Sequence, residues 1–172
     1  MEIVFWIIIA VLGIILIIKL VKNVMRFFAA LFSIMLIIIG LFLLISAKGI
    51  YDFNKEFNNN SNIFFLLDQD KIVSGFRINN GEVFVFSDEV INKYDEFFTN
   101  EKYKKMLDGN YKMILFSKTA FKNSNSAEFY KNYKNSAAGK ETRFILTKYV
   151  FDEAYVYPQS LLFYFLDLIP VV

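Results

Sequence analysis

The sequence predicts an α+β domain carried behind an N-terminal transmembrane hairpin of two helices. Three observations carry that prediction. Two long apolar runs open the chain, an Asn-Asn-Gly turn lies between apolar segments further on, and the hydrophobic spacing then shifts from strand-like to helical.

Residues 3–21 form the first run, provided that Lys19 lays its stem along the apolar surface and its charge at the interface. At the helical rise it reaches about 28 Å, close to the roughly 30 Å hydrocarbon core. Residues 27–47 carry no charge and reach about 31 Å. Between the two, "KLVKNVMR" places Lys19, Lys22 and Arg26 in residues 19–26, expected to be a short basic loop. Two spans joined so closely are antiparallel. With Glu2 before the first span and three cations after it, the positive-inside rule puts the loop in the cytoplasm. The N-terminus and the C-terminal domain are then extracytoplasmic, in a two-pass protein of the cell membrane. A cleaved signal peptide fits less well, because the n-region is acidic and no small-x-small site follows the run. Ser33, Gly40 and Ala47 recur every seven residues on one helical face, and Ala10 and Gly13 thin the first helix. Such seams suit packing within the hairpin, or between copies in a homo-oligomer.

Residues 48–62, "KGIYDFNKEFNNNSN", read as a polar juxtamembrane linker without sustained periodicity. The α+β domain is expected over residues 63–172. "IFFLL" predicts a strand, "DQD" a turn, and "KIVSGFRI" and "EVFVFS" a hairpin around "NNG", whose Asn-Gly tolerates the positive φ of a tight turn. Apolar residues on both faces of "EVFVFS" suggest a central strand. Ser87 with Asp88 and Glu89 opens a helix whose apolar face carries Val90, Tyr94, Phe97 and Phe98. Thr99 is read as the cap of a further helix that Gly109 stops. "YKMILFS" (111–117) predicts a buried strand, residues 126–139 a helix with Phe129, Tyr130 and Tyr133 along one stripe, and "TRFILTKYVF" (142–151) another strand that "AYVY" extends or pairs beside. This order implies a mixed or antiparallel sheet with helices. The tail "SLLFYFLDLIPVV" holds an apolar run too short to span a bilayer. It reads as a last core element or as a segment lying against the membrane.

The chain has neither cysteine nor histidine. Disulfides, thiolate nucleophiles, zinc–sulfur sites, Ser-His-Asp triads and imidazole ligands are therefore excluded. From Tyr51 onward 15 Lys and Arg face 16 Asp and Glu, so the overall charge of +2 comes from the N-terminal part. A nearly neutral domain lacks the footprint of a nucleic-acid binder. Asp68 and Asp70 form an Asp-x-Asp that could offer oxygen ligands to a divalent cation, although a turn between strands calls for polar residues anyway. "SKT" at 117–119 sets a serine beside a lysine, but adjacency is not catalytic geometry. The glycines of the domain are isolated, with no phosphate-cradling loop, and no cofactor is expected.

The expected function is a membrane-anchored, non-catalytic interaction or ligand-binding module, with the lipid bilayer and a protein or small ligand as partners. One rival is a membrane-anchored hydrolase or transferase using carboxylates or an oxygen-ligated metal. Another is a sensor in which ligand binding changes the oligomerisation of the hairpin.

Overall fold

Residues 14–39 contain no glycine and the chain's two prolines lie far downstream, so nothing in the first apolar runs obliges a helix to stop. In a computed structural model describing residues 2–121 and 128–168, one helix, α1 (Glu2–Asn59), runs through them without interruption. The break expected at residues 19–26, and with it the two-helix hairpin, is not found. "KLVKNVMR" is polar, but Lys, Leu, Met and Arg are good helix formers, and a charged side chain leaves the backbone ladder intact.

The chain divides into two compact units, Met1–Ile45 and Ser46–Val172. In the first, large apolar side chains from Leu16 to Ile45 are exposed on every face of the helix. A helix apolar all round belongs in lipid or in a large core, and α1 is long and apolar enough to cross a membrane.

The second unit begins with the last turns of α1, and here the expected linker is replaced by structure. Phe53 and Phe57, four residues apart in a polar stretch, are both buried in the domain core. One helical stripe of two aromatics was enough to order the segment. The sheet follows: β1 (Asn62–Asp68), β2 (Lys71–Asn79), β3 (Glu82–Val85), β4 (Lys112–Ser117) and β5 (Ala154–Tyr157). Its order is β3-β2-β1-β4-β5, with β1 and β4 parallel and the other neighbours antiparallel. The mixed sheet agrees with the sequence, and the β2–β3 hairpin turns at Asn80 and Gly81, both with positive φ. The position of β3 does not agree. It is an edge strand with Phe84 and Val85 exposed, and β1, buried from Asn62 to Leu66, is the centre.

Alternate residues of β1 serve two cores. Ile63 and Phe65 join Ile72, Met113 and Leu115 against Ile91 and Tyr94 of α2 (Asp88–Thr99) and Met106 of α3 (Tyr103–Leu107). Phe64 and Leu66 face the other way, with Phe76, Ile114, Phe116 and Val156. That side is covered by the last turns of α1, α4 (Phe129–Ala137), α5 (Glu141–Val150) and α6 (Leu161–Leu166). The helix expected over 126–139 is α4, its first two residues lying outside the described ones. Helices on both faces explain why the central strands read as unbroken apolar runs.

Two local expectations are corrected. "TRFILTKYVF" is not a strand but α5, whose buried residues Ile145 and Tyr149 are four apart. Its β-branched and aromatic content favours strands, but burial of one helical face prevails over that weak preference. Thr99 does not cap a new helix: it ends α2, its hydroxyl donates to the Asp95 carbonyl, and α3 starts after Lys102. Ser87 does stand at the start of α2, through its backbone carbonyl and without a side-chain cap.

Candidate functional site

Ala47, Ile50, Tyr51 and Asn54 occupy one face of the last turns of α1, spaced three, four and seven residues from the first. Arg143, Leu146, Thr147 and Val150 repeat that spacing on α5. The two stripes line an open groove of about 850 Å³, which Gly139, Lys140, Thr142 and Phe151 complete. Ile50 and Phe151 are exposed in it, as are the aromatic ring of Tyr51 and the Arg143 side chain. The Thr142 hydroxyl donates to Asn54 Oδ1 at 2.7 Å and ties the two walls. Lys140 and Arg143 put two cations on the lining, which among the described residues contains no carboxylate. An apolar floor with a cationic rim suits a molecule with a hydrophobic body and an anionic head.

Sequence reasoning missed this groove because it depends on α5 being a helix. The usable signal was Ile145 and Tyr149 at helical spacing, after Gly139 with its positive φ had closed α4.

Outside the groove the strongest polar features tie elements together. Lys112 is buried, donates to the Pro158 carbonyl, and lies over the rings of Tyr111 and Phe163. Loss of water around its ammonium lowers its pKa to about 8. Tyr149 donates to Asp167 Oδ1 at 2.6 Å and accepts from Gln159, which joins α5 to the end of α6. Burial, with the hydrogen bond to Asp167 second to it, raises the Tyr149 phenol.

Asp68 and Asp70 are not drawn into a cleft. Asp68 ends β1 and pairs with Lys118 Nζ at 2.6 Å on the surface, and Asp70 lies in the turn to β2. Among the described residues, no group of three acidic side chains assembles that could hold a metal ion. Ser117 and Lys118 serve different ends: the Ser117 hydroxyl is 2.8 Å from that of Thr119 and caps a short 3₁₀ turn, while Lys118 reaches Asp68.

In the apolar part of α1, Lys19, Lys22 and Arg26 are exposed within continuous helix. Ser33 donates back to the Ala29 carbonyl at 2.9 Å. Beside Gly13 and Gly40 nothing stands within 4 Å of where a β-carbon would be. Ala47 lines the groove, and the side chain of Ala10 lies outside the described ones. No family model, no curated protein and no solved structure matches the chain.

Proposed function

We propose that the chain is a membrane-anchored, non-catalytic binding module, and that the groove between α1 and α5 takes an amphiphile with an anionic head group. The observation behind this is the position of the groove in the chain. Its first lining residue, Ala47, closes the uncharged run 27–47, so the site begins where the chain leaves the apolar segment. A lipid tail held along Ile50, Leu146 and Val150 would place its head within reach of Lys140 or Arg143.

Residues 2–45 of α1 measure about 66 Å at the helical rise, twice the hydrocarbon thickness. Residues 27–47 are the natural span. A return crossing by residues 3–21 requires the helix to open within 19–26 in lipid, and Lys19, Lys22 and Arg26 mark the only interfacial position for that bend. In that topology the domain is extracytoplasmic. The chain has no cysteine of its own, so single cysteines at Asn59 and Lys131 report the side directly. Labelling of both by a membrane-impermeant thiol reagent on intact cells supports an extracytoplasmic domain, which the two-pass topology requires; labelling only after lysis overturns that topology.

The groove is tested with a photoreactive phenylalanine analogue at Leu146, in the full chain reconstituted with labelled lipid. Crosslinking to phosphatidylglycerol above phosphatidylcholine, lost in Lys140→Glu/Arg143→Glu, is the expected result. Equal labelling of both lipids, or equal labelling from a probe at Lys131, removes the proposal.

A further inference from the structure

The domain carries a second apolar surface on the side of α6 away from the core. Leu162 and Phe163 are buried: the Leu162 β-carbon stands 3.2 Å from where Gly49 would carry one, and the Phe163 ring is 5.3 Å from that of Phe53. Both contacts are with the first turns that follow residue 47. The opposite side of the same short helix and the turn after it are apolar and uncovered, with Leu161 68% exposed, Tyr164 57% and Leu168 72%. Leu161 and Tyr164, three residues apart, share one face of α6, and Leu168 lies in the turn that follows it. Tyr51, 67% exposed, and Phe151, 58%, are further large apolar side chains of this unit left uncovered.

Leu161 adjoins Leu162, which packs on residue 49, and this keeps Leu161 within about 10 Å of the point where an anchored chain leaves the hydrocarbon. A headgroup region of some 5–7 Å lies there on each side of a bilayer. Tyrosine is at home in that layer, ring in the acyl boundary and hydroxyl in water. In water such a stripe would stand exposed, while at the interface it is covered without any further protein.

We infer that the exposed stripe of α6 docks on the bilayer that anchors the chain, with Leu161, Tyr164 and Leu168 inserted at the headgroup–acyl boundary. The helix α6 and the turn after it then act as an interfacial segment held to the domain by Leu162 and Phe163, and the domain is seated on the lipid surface at two points rather than tethered at one. The inference rests on the anchoring proposed above but not on the ligand of the groove.

The test uses the full chain in phosphatidylcholine vesicles containing lipid brominated near the top of the acyl chain. Trp6, the single tryptophan, is replaced by phenylalanine, and one tryptophan is introduced in turn as Leu36→Trp, Leu161→Trp, Tyr164→Trp or Phe84→Trp. The last, on the edge strand β3, is the aqueous reference. Quenching at positions 161 and 164 about threefold or more above that at 84 is expected for side chains at the boundary. Quenching at 161 and 164 equal to that at 84, with 36 strongly quenched, overturns the docking and leaves the anchoring standing. Protection of 161 and 164 from both bromine and aqueous iodide also overturns it, and points to a second copy or a partner protein on the stripe. Loss of quenching at 36 as well shows that the anchoring itself is wrong, and the inference falls with it.

Discussion

Leu162 packs on α1 at Gly49, its β-carbon 3.2 Å from where a β-carbon at Gly49 would stand. The contact lets α6 lie directly on the helix that leads out of the apolar segment, and it explains a glycine in the middle of a helix where alanine would favour helicity by about 1 kcal/mol. Gly49→Ala sets that gain against a tight contact with a packed side chain, and its net effect is expected within about 0.5 kcal/mol. Gly49→Val cannot be absorbed so easily. It should cost about 2 kcal/mol and loosen α6, read as faster amide exchange in residues 161–166 while the central strands keep their protection. A Gly49→Val chain with native protection in α6 would show that the close approach is not needed.

Gly75 is a second close approach, in a strand. A β-carbon there would meet Phe65 Cδ1 at 2.8 Å, Phe86 Cδ2 at 2.9 Å and the Phe64 carbonyl at 3.0 Å. Two of these are ring atoms packed among Tyr94 and its neighbours, and the third is backbone that cannot turn aside. Gly75→Ala should therefore destabilise the domain by about 3 kcal/mol, more than a single methyl usually costs when overpacked. The measurement is the denaturant midpoint at unchanged m-value. A shift under about 0.5 kcal/mol would mean that the rings have room to move.

The buried ammonium of Lys112 gives a pH dependence of definite sign. Its pKa falls from 10.5 to about 8 on folding because burial strips its water. Between those values the unfolded chain holds more protons than the folded one, so this group's contribution to stability rises with pH from about 8 to about 10.5. Below that window the full penalty of burying the charge is present. Lys112→Met removes the charge and keeps most of the packing volume, and it should stabilise the domain by about 1 kcal/mol at pH 7. That advantage should shrink as pH rises through 8 to 10. Taking the difference between the two proteins cancels the titration of the tyrosines they share. An advantage independent of pH would show that the ammonium stays solvated.

How much of this was legible beforehand varied with the physical signal. Strands β1, β2 and β4 and the Asn80–Gly81 turn could be read because buried strands and positive-φ turns leave local marks. The last turns of α1 could not, since the order of a polar stretch there rests on Phe53 and Phe57 meeting a core built from remote strands. α5 was misread because Phe144, Ile145, Val150 and Thr147 favour strands locally, while Ile145 and Tyr149 are buried by tertiary contacts. The groove was lost with it, having one wall on α1 and the other on α5. β3 misled in the opposite direction. Its apolar faces suggest a centre, yet sheet order is set by which strands pair, and Phe84 ends on an edge where the Arg77 guanidinium stacks over it at 5.3 Å.

Asp68 and Lys118 decide between the binding module and its metal-dependent rival. Their side chains are 42% and 46% exposed, and their contact at 2.6 Å closes a gap between β1 and the turn after β4. An ion pair this open to water is worth only a few tenths of a kcal/mol. Asp68→Asn should therefore change stability by less than about 0.5 kcal/mol, with Asp70→Asn no larger. A metal site there would behave differently, because a cation bound only to the folded state raises the melting temperature by mass action. Millimolar Mg²⁺, Mn²⁺ or Ca²⁺ should leave the midpoint of the wild-type chain unchanged. A rise with one of these ions that Asp68→Asn and Asp70→Asn both abolish would bring the carboxylate enzyme forward and displace the non-catalytic reading. With Asp68 facing a lysine rather than a third carboxylate, the electrostatics at that turn oppose a divalent cation.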